Sequence, residues 1–445
     1  MGFRCTAAVL AAKLTGFFCR LTGRQGVTLS GKIALKICPD LLERLSGQVR
    51  NKIFVTCGTN GKTTTNNMLA SALEAEGYQV VCNHTGSNML NGVAAAFALS
   101  AGWNGRLKAD YAAIEVDEAS TKYVFPAIKP DYMVMTNLFR DQLDRYGEID
   151  ITMNILEEMI RKVPEMKLIV NADDALSEYL AEDSGNSFAT YGISNPVLKT
   201  ATNEIREGRF CKRCGERLRY RFYHYSQLGD YSCPKCGFKR PVPDYDGYDV
   251  SVGDTISFSV EKCRLTANYK GFYNVYNVLA AYAALRTAGI PIPHFKKMLR
   301  SFHPENGRME QFTYRGTRIT LNLAKNPAGF NQNISAVMQD ASPKDIVIVI
   351  NDNAQDGRDI SWLWDVDFDA LGEESIKSIT VSGIRCQDMR LRMKYVGIRA
   401  DLEPDVEKAV RKKAADGVKN LYVLVNYTAL FDTRNILKRL EEGKE

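Results

Sequence analysis

A glycine-rich segment between an apolar run and a helical pattern is the strongest constraint on how this chain folds. The segment reads VTCGTNGKTTT and spans residues 55–65. Residues 52–56 form a β-branched run, and residues 63–77 have helical spacing that ends on a glycine. A strand, a glycine loop and a helix in this order are the context of a phosphate-binding loop. The sequence therefore predicts a nucleotide site at the end of a strand.

The loop differs from the general phosphate-loop pattern at one position, since Thr56 stands where the first glycine is usual. Gly61 would let the backbone approach an anion, Lys62 would bring a charge to the β- and γ-phosphates, and Thr63 would ligate Mg²⁺. An Asn-Gly turn without a ligand is the alternative, but the flanking strand and helix favour a phosphate site. The predicted nucleotide contacts are Gly58, Thr59, Asn60, Gly61, Lys62, Thr63 and Thr64.

Alternating strand and helix patterns follow the loop. Strand-like runs at 78–83, 111–120, 130–138 and 167–174 are separated by segments with helical spacing. This alternation predicts an α/β fold with a doubly wound, mainly parallel sheet, whose active residues lie at the carboxyl ends of the strands. The 445 residues are too many for one core, so two or three domains are expected.

A second set of buried-strand runs occupies the C-terminal part of the chain, at 344–352, 377–383 and 420–430. Helical segments separate these runs, which predicts a second α/β domain. The expected division is an N-terminal amphipathic segment at 1–48, an ATP-binding domain at 49–312 with an inserted ribbon at 205–243, and a C-terminal α/β domain at 313–445.

The N-terminal segment is apolar but is interrupted by Arg4, Lys13 and Arg20, which predicts an amphipathic helix. We favour a helix packed on its own domain; a helix resting on a membrane surface or on a partner is the alternative. No run of about 18 uncharged apolar residues is present, so no transmembrane helix is predicted. With no cleavable signal peptide predicted, we expect a cytoplasmic protein that can associate peripherally with the cytoplasmic membrane.

Two Cys-x-x-Cys pairs, each followed by glycine, lie 18 residues apart. Four thiolates at this spacing predict a structural Zn²⁺ site with no open position, hence no catalysis. The predicted ligands are Cys211, Cys214, Cys233 and Cys236. His224, between the pairs, is expected to be an exposed polar residue. The basic and aromatic run at 217–223 is interpreted as ribbon surface or a patch for an anionic headgroup, so no nucleic-acid partner is expected.

The loop GTNGKTT resembles the form found in the Mur ligases and their folylpolyglutamate synthetase relatives. Further segments resemble that family in the same order: AAIEVDEAS, TNLFRDQLDRYGE, VNADD, GFYNVYNVLAA and GRMEQF. The resemblance implies that Glu115 holds a second Mg²⁺, that Asn274 and Asn277 lie near the nucleotide, and that Arg308 contacts ATP. An ion-paired or solvated carboxylate is the alternative for Glu115.

The resemblance implies ATP-dependent ligation. A carboxylate takes the γ-phosphoryl group, and an amine then attacks the acyl phosphate. The protein would position groups and neutralise charge, a task that fits Lys62, Thr63 with Mg²⁺ and Glu115 with a second Mg²⁺.

Two family residues have no counterpart. Gln142 stands where the family has a metal-binding histidine, and the position of the carbamylated lysine falls near Glu157. The segment ahead of residue 52 is also too short for the family's UDP-binding domain. The sequence therefore predicts an altered second metal site and argues against a UDP-linked substrate.

Lys325 follows a strand-like run and resembles a basic segment that reaches the phosphates in this family. The C-terminal part and the four-cysteine ribbon together resemble a narrower branch, the synthetase subunits that amidate the D-glutamate α-carboxylate of lipid II with ammonia from a partner glutaminase subunit. That resemblance implies a heterodimer and a lipid II substrate at the inner membrane face.

The acidic loop 352–359 follows a strand, and Asp356 is the residue we expect to orient the histidine of the partner glutaminase. Asp352 and Asp359 are the other candidates in this loop, and a solvated acidic loop without a role is the alternative. Two other functions stay open at this point: a stand-alone Mur- or folylpolyglutamate-type amino-acid ligase, and a non-catalytic nucleic-acid or scaffold protein.

Overall fold

The computed structural model describes residues 2–21, 26–139, 149–197, 207–253, 255–302, 309–353, 356 and 358–443. Within these ranges the helices are α1 (Phe3–Leu21), α2 (Val27–Ile37), α3 (Leu41–Ser46), α4 (Lys62–Ala75), α5 (Leu90–Ser100), α6 (Thr121–Ile128), α7 (Ile149–Arg161), α8 (Ala175–Ser184), α9 (Tyr273–Thr287), α10 (Phe295–Ser301), α11 (Pro327–Met338), α12 (Cys386–Tyr395), α13 (Val406–Ala415) and α14 (Tyr427–Glu441).

The strands of the described residues are β1 (Val49–Cys57), β2 (Val80–Cys82), β3 (Ala109–Glu115), β4 (Tyr132–Met135), β5 (Lys167–Asn171), β6 (Phe188–Ile193), β7 (Arg219–Tyr225), β8 (Leu228–Ser232), β9 (Tyr245–Val252), β10 (Ile256–Val260), β11 (Cys263–Ala267), β12 (Glu310–Tyr314), β13 (Thr317–Leu323), β14 (Lys344–Val349), β15 (Ile376–Ser382), β16 (Asp401–Leu402) and β17 (Asn420–Val425).

The first sheet has nine strands in the order β11-β10-β9-β6-β5-β4-β1-β3-β2. From β2 to β9 all neighbours are parallel, and β10 and β11 extend the edge as an antiparallel meander. The last five residues of β1 are all buried, as expected for a parallel strand covered on both faces. Helices α5, α6 and α7 contribute to the core on one face, and α4 and α9 to the core on the other.

The second sheet has six strands in the order β12-β13-β17-β14-β15-β16. All pairs are parallel except β12 with β13. Apolar residues of α11 and α12 cover one face, and those of α13 and α14 cover the other. The sheet begins at Glu310, just ahead of the expected boundary between residues 312 and 313.

A short antiparallel hairpin, β7 with β8, carries the four cysteines on its flanks. Ala175 and Tyr179 of α8 pack against Cys211, Tyr231 and their apolar neighbours, so the hairpin is seated on the first domain. The predicted fold class is confirmed: an α/β chain with parallel sheets, a four-cysteine cluster and a second C-terminal α/β unit.

The three N-terminal helices also belong to the first domain. Helix α2 packs between α1 and α5, and α3 contacts α5 and α6. None of the helices in the described ranges is both long and apolar enough to cross a membrane.

Candidate active site

The glycine loop connects the end of β1 to the start of α4, as the sequence predicts. Gly58 and Gly61 both have positive φ, at 116° and 85°. A Cβ at Gly58 would lie 2.3 Å from Thr136 Oγ1, and one at Gly61 would lie 2.3 Å from Asn277 Oδ1. Thr56 is still part of β1, paired with Glu115 and Val134, so the turn itself begins at Gly58 and needs no glycine at 56.

The segment after β4 holds the loop in shape. Asn60 N donates to Asn137 Oδ1 at 2.9 Å, Asn137 Nδ2 donates back to Asn60 O at 3.0 Å, and Thr59 N donates to Asn137 O at 2.8 Å. Thr59 Oγ1 also donates to Phe139 O at 2.9 Å. These bonds fix the loop before any ligand arrives, which is the preorganisation that phosphate binding requires.

Lys62 is buried and folded back on the loop. Its Nζ donates to Gly58 O at 2.6 Å and to Glu118 Oε1 at 3.0 Å. Glu118 Oε1 also accepts from Gly58 N at 2.7 Å. Glu118 therefore holds both the loop and the lysine, and Lys62 can exchange this carboxylate for a phosphate that enters the loop.

Thr63 and Glu115 face each other across Gly86. A Cβ at Gly86 would lie 3.2 Å from Thr63 Oγ1 and 3.4 Å from Glu115 Oε2. Glu115 Oε1 accepts from Asn88 Nδ2 at 2.8 Å, whereas Oε2 is buried without a hydrogen-bond partner among the described residues. An unsatisfied buried carboxylate oxygen is costly unless a cation completes its shell. A hydroxyl and a carboxylate in this position fit Mg²⁺.

Helix α9 supports the loop from the side. Asn277 Oδ1 accepts from Thr65 Oγ1 at 3.3 Å, and its Nδ2 donates to Asn274 Oδ1 at 2.9 Å. Asn274 Nδ2 in turn donates to Lys270 O at 2.7 Å. Asn277 thus borders the loop directly, and Asn274 supports the loop by holding the side chain of Asn277.

The second domain completes the cleft. The Asn60 and Asn326 side-chain amides exchange hydrogen bonds of 3.3 and 3.2 Å across the two domains, and the adjacent Lys325 lines the same space. The cleft has a volume of about 550 Å³. Its lining includes Thr28, Thr59, Asn60, Gly61, Lys62, Thr63, Gly86, Asn88, Met89, Glu115, Asn137, Asn277, Lys325, Tyr427 and Thr428.

Three further positions from the sequence analysis are not part of the described cleft lining. Arg308 and Gln142 fall outside the described residues. Glu157 lies on α7, away from the cleft, where its carboxylate pairs with Arg161 at 2.8 Å. Glu157 therefore does not replace the family's carbamylated lysine.

Asp356 is turned inward rather than presented to solvent. Its Oδ1 accepts from Thr428 N at 2.8 Å, and its Oδ2 accepts from Thr428 Oγ1. Burial raises the pKa of this carboxyl above its ordinary value. Because Thr428 lies in the first turn of α14, Asp356 caps that helix and sits behind the cleft wall formed by Tyr427 and Thr428.

The four cysteines form a compact cluster whose sulfur atoms all lie within 4.8 Å of one another. Cys211 Sγ is 3.5 Å from Cys236 Sγ, and Cys214 Sγ is 3.5 Å from Cys233 Sγ. Tetrahedral Zn–S bonds of about 2.3 Å place sulfurs about 3.8 Å apart, so the cluster fits a Zn²⁺ ion. Gly215 and Gly237 both have positive φ, which closes the two turns around the cluster.

His224 is not exposed, and that expectation was wrong. It is buried, and its Nε2 lies 3.0 Å from Ile193 O. Burial lowers the pKa of the imidazole. Nearby, Asp173 accepts from Arg240 Nε and from Tyr276 OH, both at 2.6 Å, which links the end of the ribbon to α9. The imidazole packs against the rings of Phe272 and Tyr276 near the start of α9.

Sequence reasoning missed Glu118 and Asn137, the two residues that fix the loop. Both were visible in the quoted motifs AAIEVDEAS and TNLFRDQ. The signal was a second acid after the end of β3 and an amide after β4, since side chains after neighbouring parallel strands meet at one edge of the sheet.

The profile of the Mur ligase middle domain matches residues 55–285, and that of the MurT ligase C-terminal domain matches residues 323–430. The lipid II isoglutaminyl synthase (glutamine-hydrolysing) subunit MurT of Staphylococcus aureus strain COL is 36% identical over 438 residues, 98% of each chain.

The chain belongs to the MurT family. Solved structures agree with this assignment at the level of the fold. A pseudomurein peptide ligase type C from Methanothermus fervidus has a TM-score of 0.70 at 24% identity, covering 89% of this chain and 80% of that one. The MurF ligase from Thermotoga maritima in complex with ADP has a TM-score of 0.62 at 15% identity, covering 93% and 85%.

Proposed function

We propose that this chain is the ATP-dependent synthetase subunit of a lipid II isoglutaminyl synthase. It converts the D-glutamate α-carboxylate of the lipid II stem peptide to the amide of D-isoglutamine. Membership of the MurT family supports this activity, and the subunit name of the Staphylococcus relative supports a two-subunit enzyme. The observation that carries the proposal is one cleft that combines Lys62, Thr63 and the unpartnered oxygen of Glu115 with Lys325 of the second domain.

ATP would lie with its β- and γ-phosphates at the loop between Gly58 and Thr64. The amide N–H groups at the start of α4 face the phosphates, and the helix dipole adds positive potential there. Lys62 would leave Glu118 for the γ-phosphate, while Asn137 keeps the loop closed. A MurF ligase of the same fold is solved in complex with ADP, which supports an adenine nucleotide as the ligand.

Thr63 Oγ1 and Glu115 Oε2 would hold Mg²⁺. When bound, that ion neutralises charge on the phosphates as the γ-phosphoryl group moves. Asn88 and Asn83 position the carboxylate: Asn88 binds Glu115 Oε1, and Asn83 bonds both backbone groups of Glu115 at 2.8 Å. The four cysteines would hold a structural Zn²⁺, with no place for a reacting water.

The α-carboxylate of the substrate attacks the γ-phosphorus, and ADP leaves. Ammonia then attacks the acyl carbon, and phosphate leaves with one of the two original carboxylate oxygens. A GatD-like glutaminase subunit in a heterodimer would supply that ammonia. Lys325 is half-buried in the cleft wall, where its ammonium group can screen the phosphate as it departs.

Incubation of the chain with lipid II, ATP, Mg²⁺ and ammonium, followed by mass spectrometry of the stem peptide, tests the proposal. We expect one carboxylate per stem peptide to become an amide, at the D-glutamate residue. Omission of ATP should abolish the product. Incorporation of an amino acid in place of ammonia, without any amide, would instead identify a stand-alone amino-acid ligase.

A further inference from the structure

Helix α1 is packed with its small side chains inward and its large apolar side chains outward. Cys5, Ala8, Val9 and Ala12 are buried in the core of the first domain. The outer face carries five large side chains that are each more than half exposed: Phe3 (91%), Leu14 (51%), Phe17 (54%), Phe18 (61%) and Leu21 (69%).

These outward residues form one continuous stripe. Positions 3, 7, 10, 14, 17, 18 and 21 recur every three to four residues and are all apolar, so they share a helix face. A helix that only had to pack on its own domain would turn this stripe inward. The stripe therefore marks an interaction surface.

The charge of the first 39 residues is of one sign, and the first acid, Asp40, is paired with Arg44. The first 39 residues contain six lysines and arginines and not one aspartate or glutamate. Among the described side chains, Arg4 of α1 and Lys32 and Lys36 of α2 are exposed. A basic rim around an apolar stripe is complementary to an anionic lipid surface. A second copy of the chain would bring two basic rims together, which disfavours a dimer through this face.

Trp103 extends the surface beyond the helix. It is 66% exposed, and Lys13 of α1 lies 5.5 Å from the centre of its ring. Tryptophan is enriched where an apolar layer meets water, because its ring is apolar and its N–H is polar. The loop after α5 therefore offers the type of side chain that anchors a protein at a bilayer interface.

Helix α2, which packs on α1, also borders the cleft. Thr28 at the start of α2 lines the cleft, and the next residue, Leu29, is half exposed. Met89 lines the cleft as well and is also more than half exposed. A bilayer in contact with α1 would thus lie beside the entrance to the catalytic loop.

We propose that α1 and the start of α2 lie in the plane of an anionic membrane surface, with the Phe3–Leu21 stripe at the boundary between headgroups and acyl chains. This inference rests on the proposed function, because membrane binding through α1 would bring the cleft to a substrate whose lipid stays in the bilayer. The helix, about 28 Å long at 1.5 Å per residue, lies on the membrane rather than crossing it.

Flotation with vesicles tests the binding. The full chain, together with its glutaminase partner, is mixed with one of two kinds of vesicle. One contains phosphatidylcholine alone, and the other contains phosphatidylcholine with about 30% phosphatidylglycerol, which supplies the anionic surface that basic residues bind. We expect flotation only with the anionic vesicles. F17S/F18S and, separately, K32E/K36E should each weaken binding about tenfold or more.

Phe210 of the ribbon is the matched control, because it is an aromatic residue of similar exposure (57%) outside this surface. F210S should float like the unchanged chain. Equal flotation of F17S/F18S and the unchanged chain would overturn the proposal. So would concentration-dependent dimerisation that F17S/F18S abolishes, since the stripe would then be an interface between copies.

Activity separates this inference from the proposed function. F17S/F18S should amidate a short-chain, water-soluble lipid II analogue at the unchanged rate, but amidate lipid II in anionic vesicles about tenfold more slowly. Equal rates of both proteins on vesicle-borne lipid II would contradict the membrane role. No amidation of either substrate by the unchanged chain would contradict the proposed function, whereas the flotation result would still stand.

Discussion

At the scale of single residues, the pair Lys62–Glu118 explains how the loop is held before nucleotide binds. Both side chains are almost fully buried, and the contact is 3.0 Å. Breaking such a buried pair by removing one partner leaves a charge without compensation, which costs stability. Loss of activity in a Lys62 variant therefore needs a control for the fold.

Lys62→Ala should lower amidation roughly 10²- to 10³-fold, because it removes the charge that stabilises the transferring phosphoryl group. It should also lower thermal stability, since Glu118 is left without its cation.

The double variant Lys62→Ala/Glu118→Gln should recover the melting temperature but not the turnover. Lys122→Ala, at an exposed lysine outside the cleft, serves as the surface control. Turnover of Lys62→Ala near the unchanged value would refute the phosphate-binding role of the loop.

At the scale of elements, the ribbon is the unit whose stability depends most on a ligand. Its hairpin, β7 with β8, has only two strands, and such a hairpin is marginal alone. The cysteine cluster and the packing on α8 hold it in place.

Cys211→Ser should release the metal and lower the melting temperature, because a structural Zn²⁺ contributes its binding free energy to folding. Metal analysis of the purified chain under reducing conditions should find one zinc per chain before the substitution and a fraction of that after it. Cys263→Ser, at a cysteine outside the cluster, is the matched control. A chain that folds without any bound zinc would refute the ribbon site.

Glu178 of α8 gives the ribbon interface a pH dependence. Burial, and then the neighbouring Glu182 and Asp244, raise the pKa of this carboxyl from 4.5 to about 8. The folded state therefore keeps a proton that the unfolded chain loses, so this group's contribution to stability is full below pH 4.5 and is lost as the pH rises to about 8.

Glu178→Gln mimics the protonated form and should remove that loss. The stability difference between the variant and the unchanged chain should grow in favour of the variant between pH 4.5 and 8, by up to about 5 kcal/mol, and then level off. Urea titrations at several pH values measure it. A difference that does not change with pH would show that Glu178 is ionised in the folded chain.

Most elements could be predicted from the sequence, because the buried runs of β1, β14 and β17 and the helical spacing of α4 and α9 are strong local patterns. The orientation of α1 on the first domain could not be predicted from the sequence. Its stripe of large apolar residues favoured burial, and only the tertiary structure reveals that alanines and a cysteine make the contact. The expectation that His224 is exposed was also wrong because burial depends on tertiary packing, and a polar residue in a hairpin gives no local sign of it.

At the scale of the whole molecule, the two domains meet at the nucleotide loop. The reciprocal amide pair of Asn60 and Asn326 joins residues 266 positions apart, and Asn326 also caps α11 through Gly329 N at 2.8 Å. The loop motif was predictable because its residues are contiguous, whereas this pair depends on the packing of two domains. Because Asn326 is held from both sides, the preceding Lys325 is fixed in the wall of the cleft.

Asp356 is the residue that connects this chain to a partner subunit in our account. Asp356→Asn keeps the shape and one acceptor for Thr428 N but removes the charge. It should lower glutamine-dependent amidation strongly and spare amidation driven by free ammonium, because only glutamine hydrolysis needs a carboxylate to orient a histidine. Parallel assays with the two nitrogen sources measure this split.

Asp352 and Asp359 are the next candidates to test: Asp352 pairs with Arg385 at 2.6 Å, and Asp359 accepts from Ser361 N at 2.8 Å. A parallel loss of both activities in Asp356→Asn would assign the residue to the ligase site or to the fold, in line with its capping of α14. Two unchanged activities would place the orienting carboxylate at another residue.

The central claim is that the cleft activates a carboxylate by phosphoryl transfer. Lipid II labelled with ¹⁸O in the D-glutamate α-carboxylate tests it most directly, with ATP, Mg²⁺ and ammonium and with mass spectrometry of the released phosphate. Our account predicts one ¹⁸O atom in each phosphate and one in the amide product, and a yield of labelled phosphate that falls roughly 10²- to 10³-fold with Lys62→Ala, in step with amidation. Amide formation with unlabelled phosphate would contradict it.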